Sequence, residues 1–169
     1  MNLVIRKAVV EDIPAIHQIT REAFEKYAQD LGLPHTVAAL KETEESIRRD
    51  MEHKTILIAL LDNTPVGSLR YEILPGNIAY ISRFGVKLDI QKSGVGRALM
   101  EAAEEDLRKM GVAVITLHTA TKMTAQVRFY YGLGFYVHST TTDKGYIRGL
   151  FCKELTEADS HANLLANIK

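Results

Sequence analysis

The spacing of apolar residues changes in the middle of the chain from alternate positions to helical spacing, with a glycine-containing turn in between. Before the turn, Ile78, Tyr80, Phe84 and Val86 all lie at even-numbered positions, which predicts a mostly buried strand. After it, apolar residues at helical spacing predict one buried stripe: Val95, Ala98, Leu99, Ala102, Ala103, Leu107 and Met110. Gly111 follows the stripe, where a left-handed residue commonly ends a helix. The pattern therefore predicts a strand, a tight turn and an amphipathic helix.

The same periods predict further elements on both sides of this centre. Before it we predict a strand at Asn2–Val9 with Leu3, Ile5 and Val9 facing the core, and a helix capped by Asp12 with Pro14 in its first turn. A polar helix at about Thr36–His53 follows, and then hairpin strands at Thr55–Leu61 and Val66–Ile73. After it we predict a strand at Val112–His118, a helix at Thr121–Gly132, and strands at Phe135–Ser139 and Ile147–Glu154.

This order of elements predicts an α+β fold. The first four strands favour a mostly antiparallel central sheet, and the strand–helix–strand unit requires one parallel strand pair. Helices are expected on both faces of the sheet. The chain has 169 residues, and we predict a single domain over residues 1–155 followed by a tail at 156–169 that is a weak helix or disordered.

Composition narrows the classes of function. Lys plus Arg and Asp plus Glu both number 21, so the net charge is zero, which argues against a general nucleic-acid or membrane-surface binder. One cysteine, Cys152, excludes a disulfide within the chain, and six histidines lack the paired spacing of metal ligands. With no secretory signal or membrane-length apolar run, we expect a cytoplasmic protein without a metal site.

The turn itself reads Gln91-Lys92-Ser93-Gly94-Val95-Gly96-Arg97. Its glycines let a ligand approach the backbone, and the first N–H groups of a helix have no partner within the helix. Together with the positive helix end, these donors suit a phosphate or pyrophosphate. The alternative is an ordinary strand-to-helix turn, since the segment matches neither the dinucleotide fingerprint nor the phosphate loop of nucleotide-binding proteins.

A second segment, Phe129-Tyr130-Tyr131-Gly132-Leu133-Gly134-Phe135, follows the next buried strand at the distance that one helix requires. With both segments in this order, residues 2–154 resemble the GNAT superfamily of acyl-CoA-dependent N-acyltransferases. Residues 91–96 match its (Gln/Arg)-x-x-Gly-x-(Gly/Ala) pyrophosphate loop, and residues 130–135 match its Tyr-x-x-x-Gly-Phe segment. The resemblance implies a GNAT-like fold with the parallel strand pair at the cofactor site, and acetyl-CoA as cosubstrate.

The resemblance also implies roles for individual residues. Backbone groups from Phe84 to Val86 would hold the pantetheine arm, and the Val86 N–H would polarise the thioester carbonyl. Tyr130 would contact the cofactor and protonate the departing thiolate. The implied cofactor-binding set is Phe84, Gly85, Val86, Gln91, Lys92, Ser93, Gly94, Val95, Gly96, Arg97 and Tyr130. Met123 stands where the family often has Asn, so one cofactor contact is in doubt.

The general base is less well defined, because the central strand has Ser82 and Arg83 where many relatives place a carboxylate. Glu72 on the neighbouring strand and His118 at the end of the next buried strand are the candidates. An ordinary histidine titrates near the working pH. For Glu72 the alternative is an exposed strand residue, and for His118 a backbone-bonded histidine. Deprotonation by water would need neither residue.

The sequence therefore predicts an acetyltransferase that moves the acetyl group of acetyl-CoA directly to a primary amine of a small molecule or peptide. We expect a ternary complex without an acyl-enzyme, because no nucleophile–base pair is visible. The expected partners are acetyl-CoA and the amine, without nucleic acid or membrane, and a homodimer is left open. Two alternatives stand: a sensor that binds acyl-CoA without turnover, and a protein N-terminal or lysine acetyltransferase.

Overall fold

The computed structural model describes residues 2–33 and 37–156. In order, its strands and α-helices are β1 (Leu3–Lys7), α1 (Ile13–Leu31), α2 (Glu44–His53), β2 (Thr55–Leu61), β3 (Thr64–Leu74), β4 (Ile78–Val86), α3 (Val95–Lys109), β5 (Val114–Ala120), α4 (Thr124–Gly132), β6 (Tyr136–Thr141) and β7 (Arg148–Glu154). Short 3-10 turns precede α1, α2 and α3 at Val10–Asp12, Ala38–Lys41 and Leu88–Ile90.

The described strands form one seven-stranded sheet in the order β1-β2-β3-β4-β5-β7-β6. β4 and β5 are parallel, with Ile78–Ile81 opposite Val114–Leu117. The pairs β1–β2, β2–β3, β5–β7 and β6–β7 are antiparallel. The predicted α+β fold, with a mostly antiparallel sheet and one parallel pair, is confirmed.

Two compact units divide the chain. The first runs to Glu72 and resumes from Ser82 to Ala103, and the second takes Ile73–Ile81 and continues from Glu104 onward. The chain therefore crosses from one unit to the other after Glu72, after Ile81 and after Ala103. The single domain at residues 1–155 stays a prediction.

The core of the first unit covers one face of β2 with two helices. Ile13 and Ile16 of α1 and Ile47 of α2 pack against Ile56 and Ile58. Leu57 and Ala59, which point to the opposite face of β2, are also buried. Both faces of this strand are therefore covered, which explains why its sequence is continuously apolar rather than alternating.

Two glycines in the first unit permit close approach of helices to strands. A Cβ built on Gly67 of β3 would lie 2.9 Å from Leu99 Cδ1 of α3. A Cβ built on Gly85 of β4 would lie 2.9 Å from the Cβ of Ala23 in α1. Because real Cβ atoms do not approach this closely, any larger residue would push the helices outward.

The second unit has its own apolar core around the parallel strand pair. Ile78 of β4 and Val114 of β5 pack with Leu150 and Cys152 of β7. Cys152 is fully buried, and burial raises the pKa of its thiol to about 12. A thiol in this state stays protonated, so Cys152 acts as a small core residue, as its apolar strand indicates.

The structure corrects the predicted burial of three apolar positions. Leu3 was expected to face the core but is 37% exposed, because β1 is an edge strand. Val9 is 49% exposed and lies beyond the end of β1. Met110, at the end of the predicted stripe, is 54% exposed, because α3 ends at Lys109.

The predicted polar helix at Thr36–His53 is divided in the structure. A 3-10 turn at Ala38–Lys41 is followed by α2, which begins at Glu44. Thr43 caps α2: its hydroxyl accepts the Ser46 N–H at 3.1 Å, and the Ser46 hydroxyl accepts the Thr43 N–H at 3.0 Å. Such a reciprocal cap defines a helix start. Residue 36, where the predicted helix begins, lies outside the described residues. So does the predicted tail from residue 157 onward.

Asp12 precedes α1 as predicted, but its carboxylate does not cap that helix. It accepts the Val9 N–H at 2.8 Å and two hydrogen bonds from the Arg6 guanidinium at 2.7 and 3.1 Å. The Arg6 hydrogen bond is the main reason that the pKa of Asp12 lies below its ordinary value. Asp12 therefore joins β1 to the start of α1.

Candidate active site

The turn between β4 and α3 has the backbone geometry of an anion-binding site. Lys92 and Gly94 are left-handed, with φ of +68° and +91°. The Ala98 N–H donates to the Gly94 carbonyl at 3.0 Å. By helix geometry, the N–H groups of Val95, Gly96 and Arg97 precede that bond and have no acceptor within the helix. These three donors are at the positive end of a 15-residue helix.

The residue directly before these donors is at the surface. A Cβ built on Gly94 would meet no heavy atom within 4 Å, and Gly94 is exposed. Val95 is 2% exposed and anchors the first turn of α3 in the core. Arg97 is half-exposed and pairs with Glu101 at 3.6 Å. The turn therefore has a buried anchor at Val95 and an exposed positive charge at Arg97.

Not every N–H group in the predicted loop points outward. The Ser93 N–H donates to the Ile90 carbonyl at 3.2 Å, which closes the turn itself. The Gln91 side chain also acts locally, because its Nε2 donates to the Val86 carbonyl at 3.4 Å. These two bonds tie the turn to the end of β4. The donors that remain for a ligand come from the first residues of α3.

The end of β4 is held close to β3 in the first unit. The Lys87 N–H donates to the Val66 carbonyl at 2.8 Å. Gly85 and Val86 are buried and Phe84 is half-buried. Arg83, just before them, is left-handed with φ of +52°, which is unusual for a residue with a large side chain. The parallel register with β5 ends at Ile81, two residues before this distortion.

Glu72 lies on β3 in the first unit and is half-buried. The structure therefore places it in the same unit as the turn and the end of β4. Its neighbour Tyr71 is opposite Thr55 in the β2–β3 register. Glu72 stays a candidate base rather than an established one.

His118 lies on β5 in the second unit and is bonded to Tyr80 of β4. Tyr80 Oη and His118 Nδ1 are 2.6 Å apart. Burial is the main cause that lowers the pKa of His118 to about 4. The positive charges of Arg148 and Lys144 also lower this pKa, and the negative charge of Asp143 partly opposes them. The expectation that His118 titrates near the working pH is therefore wrong, and its imidazole is neutral at pH 7.

Tyr130 lies near the end of α4 in the second unit and is 6% exposed. Its ring centroid lies 5.4 Å from that of Phe129 and 5.7 Å from those of Phe135 and Phe151. The Tyr130 carbonyl accepts N–H groups of Leu133 and Phe135 at 3.1 and 3.0 Å. The phenol is therefore held by packing on several sides and by the turn that ends α4. Met123, in the doubtful cofactor position, precedes α4 and is 9% exposed.

Sequence reasoning missed one buried polar cluster in the first unit. Arg70 of β3 is 1% exposed and pairs with Glu42 and with Asp50 of α2. Glu42 also faces Arg83. A signal was present, because Arg70 lies between Leu69 and Tyr71 in the predicted strand Val66–Ile73. A long cation at such a position requires a buried partner.

Within residues 2–33 and 37–156, no group of three His, Cys, Asp or Glu side chains could hold a metal ion. Among the helices in that part of the chain, none has the length and apolar character needed to cross a bilayer.

Comparison with known proteins identifies relatives of this chain. The model of the acetyltransferase (GNAT) family matches residues 13–135. A spermidine N(1)-acetyltransferase from Thermoplasma acidophilum is 26% identical over 149 residues, which cover 83% of this chain and 92% of that protein.

Solved structures share the fold. PaiA N-acetyltransferase from Thermoplasma acidophilum, solved in complex with coenzyme A, has a TM-score of 0.73 and 21% identity, covering 91% of this chain and 99% of that one. The ribosomal-protein-S18-alanine N-acetyltransferase from Escherichia coli has a TM-score of 0.75 and 20% identity, covering 94% and 97%. Because the family model matches most of the sequence, this chain belongs to the GNAT family of acetyltransferases.

Proposed function

We propose that this protein transfers the acetyl group of acetyl-CoA directly to a primary amine, with both substrates bound at once. The observation that carries the proposal is the turn at residues 91–97, where left-handed Lys92 and Gly94 precede the first N–H groups of α3, which have no acceptor within the helix. Membership in an acetyltransferase family and the relative solved with coenzyme A support the same ligand.

The residues present suit a pyrophosphate. The N–H groups of Val95, Gly96 and Arg97 would donate to its oxygens, and the helix end would favour its charge. Lys92 and Arg97 would contribute cations at the rim. Coenzyme A bound in this way supplies a thioester, whose carbonyl carbon is the group transferred.

Two groups of the chain would stabilise the charges that develop during transfer. The Val86 N–H would donate to the thioester oxygen, and one such donor lowers a barrier by about 3 kcal/mol in comparable sites. The Tyr130 phenol would give its proton to the departing sulfur. A thiol has a pKa of about 8.5 and a phenol about 10, so a shared proton is sufficient.

The bonds and protons balance without a further reactant. A C–N bond forms, the C–S bond breaks, and the sulfur leaves as a thiol. The amine enters as an ammonium and loses two protons, of which one replaces the proton that Tyr130 donates and the other is released. Net turnover therefore yields one amide, one thiol and one proton.

The first deprotonation of the acceptor is assigned to water, with Glu72 as the candidate protein base. His118 has its pKa lowered to about 4. Compared with an amine of pKa about 10.4, such an imidazole is a weaker base by about a millionfold. Neutral His118 can still accept or donate a hydrogen bond, which we propose as its role with Tyr80.

The acceptor class rests on the sequence relative. The spermidine N(1)-acetyltransferase supports a polyamine as the first acceptor to test. The experiment measures thiol release from acetyl-CoA with spermidine, spermine, amino acids, aminoglycosides, and peptides with a free N-terminus or lysine. Calorimetry measures the binding of coenzyme A to the same protein in parallel.

The outcomes separate the alternatives. Thiol release with small amines supports the proposal, and release with peptides alone indicates a protein acetyltransferase. Binding of coenzyme A without turnover of any amine indicates an acyl-CoA sensor. Absence of coenzyme A binding would contradict all three functions.

A further inference from the structure

Glu42 lies between two arginines in the first unit. Its side chain is 4% exposed, and its Oε1 contacts Nη1 of Arg70, which is 1% exposed. Its Oε2 lies 3.5 Å from Nε of Arg83. Glu42 Oε2 and Arg83 Nε are both buried atoms without a hydrogen-bond partner among the described residues, so the ion pair is the contact between them. The two atoms therefore depend on each other for electrostatic compensation.

The backbone of Glu42 is also fixed. Its carbonyl oxygen accepts a hydrogen bond from His17 Nε2 of α1 at 3.0 Å. Its N–H donates to the Ala39 carbonyl at 3.4 Å, and Thr43, the next residue, caps α2. The carboxylate of Glu42 is therefore held in place from the main chain and is not a mobile surface charge.

Arg83 has a backbone conformation that a residue with a side chain adopts at a cost. Its φ is +52°, within the left-handed region, although β4 continues on both sides of it. Residues other than glycine stay there when surrounding contacts require it. The ion pair with Glu42 is such a contact, since it fixes where the Arg83 side chain can point.

The position of Arg83 makes this conformation relevant to the cofactor site. Arg83 comes directly before Phe84, Gly85 and Val86, the segment whose backbone the proposed function assigns to acetyl-CoA. The β4–β5 register ends just before Arg83, at Ile81. The dihedrals of Arg83 therefore set the direction of the last part of β4, from Phe84 to Val86.

We propose that Glu42 is a positioning residue, which holds Arg83 in the left-handed conformation through an ion pair and so aims the Val86 N–H. The step from conformation to catalysis rests on the proposed function of the Val86 N–H. The step from Glu42 to the conformation of Arg83 does not, and can be measured without any substrate.

Four variants separate positioning from general stabilisation. Glu42→Gln removes the charge and retains the shape. Asp50→Asn is the matched control, because Asp50 Oδ2 also pairs with Arg70 Nη1, at 2.8 Å, whereas its second cation is Lys54, at 3.6 Å, in place of Arg83. Arg83→Gly allows positive φ without any tether. The double variant Glu42→Gln/Arg83→Gly tests whether glycine replaces the function of the ion pair.

The first measurement is structural. The ¹³Cα and ¹³Cβ chemical shifts of Arg83 report whether its φ is positive. We expect them to move toward the values of an ordinary strand in Glu42→Gln and to stay unchanged in Asp50→Asn. Unchanged Arg83 shifts in folded Glu42→Gln would overturn the inference, whatever the activity of the protein.

The second measurement is kinetic, with rates normalised to the folded fraction. We expect Glu42→Gln to lower kcat about tenfold at nearly unchanged KM for acetyl-CoA, and Asp50→Asn to lower it less than about threefold, because small misplacements of a catalytic donor are costly. Arg83→Gly should restore kcat in the Glu42→Gln background.

Lack of rescue, or equal losses in Glu42→Gln and Asp50→Asn, would overturn the positioning role. Absence of turnover in the unmodified protein would instead overturn the proposed function and leave the shift measurement decisive for Glu42. If Glu42→Gln does not fold, the comparison of Arg83→Gly with Arg83→Ala decides, because both lack the ion pair and only glycine adopts positive φ without a cost. We then expect glycine to retain more kcat than alanine, and the reverse order contradicts the inference.

Discussion

Leu99 of α3 lies directly over Gly67 of β3, where a Cβ on the glycine would be 2.9 Å from Leu99 Cδ1. The same Cβ would lie 3.3 Å from the Gly85 carbonyl oxygen, a backbone atom of β4. Leu99 is fully buried one turn after the residues that start α3. The absence of a side chain at residue 67 therefore sets how closely α3 approaches the strands that hold the candidate cofactor site.

Replacing Gly67 with alanine should destabilise the protein. The added methyl group must displace either Leu99 or the backbone of β4, and overpacking of this kind costs about 1–3 kcal/mol. Urea unfolding measures the change. Gly132→Ala is the matched control, since a Cβ there meets no atom within 4 Å and lies in α4. Alanine should stabilise that helix slightly, and equal destabilisation of both variants would contradict the packing argument.

Replacing Gly94 with alanine should weaken binding of coenzyme A. Its φ of +91° disfavours a side chain, and relaxation of the backbone would redirect the donors at the start of α3. We expect the Kd for coenzyme A, measured by calorimetry, to rise at least about tenfold, or 1.4 kcal/mol.

Gly145→Ala serves as control for Gly94→Ala. Gly145 has a φ of +86°, and a Cβ there also meets no atom within 4 Å. The conformational cost of placing alanine at residue 145 is therefore similar to that at residue 94, but Gly145 lies in the loop between β6 and β7. We expect lower stability and unchanged affinity for coenzyme A. Equal loss of affinity in both variants would mean that the turn at Gly94 has no special part in binding.

Replacing Tyr130 with phenylalanine should lower kcat and leave the affinity for coenzyme A nearly unchanged. The ring packs against three phenylalanines, contacts that phenylalanine retains, so the change removes mainly the proton donor. Loss of a general acid lowers a rate by about 10²–10⁴-fold. Tyr131→Phe is the control, because Tyr131 is 53% exposed and follows directly in sequence. Full activity of Tyr130→Phe would reject the assigned role.

The stability of the protein should fall with acidification partly because of His118. Its pKa is about 4 in the native protein and 6.5 as an ordinary histidine. Between these values the unfolded chain binds a proton at residue 118 that the native protein does not. The contribution of His118 to the free energy of unfolding therefore keeps its full value above pH 6.5 and falls as the pH is lowered toward 4. Because the ring is partly exposed, the effect should not exceed about 2–3 kcal/mol.

Unfolding free energies of the unmodified protein and His118→Gln, measured at several pH values, test this. The variant should lose part of the pH dependence between pH 4 and 6.5. His53→Gln is the control, since the His53 side chain is 76% exposed. If His118→Gln and the unmodified protein have parallel pH profiles, His118 is not held neutral by burial.

The strands and helix nearest the candidate site could be predicted from the sequence because their burial is regular. β2 has the predicted bounds, Thr55–Leu61, and β4 has the predicted bounds, Ile78–Val86. α3 ends one residue before the predicted Met110. In β2 a continuous apolar run and in α3 a helical stripe meet a core, as the pattern indicates. In β4 the predicted face is less completely buried, since Tyr80 and Phe84 are half-buried.

Other features depend on contacts between distant residues and could not be read from periodicity. The left-handed φ of Arg83 and the burial of Arg70 beside Glu42 arise from tertiary packing. The start of α2 could have been found, because Thr43 and Ser46 have the spacing of a reciprocal cap. The low pKa of His118 follows mainly from its burial, which no local pattern indicates.

The three crossings of the chain between its compact units, after Glu72, Ile81 and Ala103, limit how the protein can be recombined. A chimaera that exchanges one contiguous gene segment with a relative cannot replace either unit as a whole. An exchange that keeps a unit intact must transfer the nine-residue piece Ile73–Ile81 together with the segment from Glu104 onward. Crossover libraries should therefore yield folded hybrids most often when these two pieces come from the same parent.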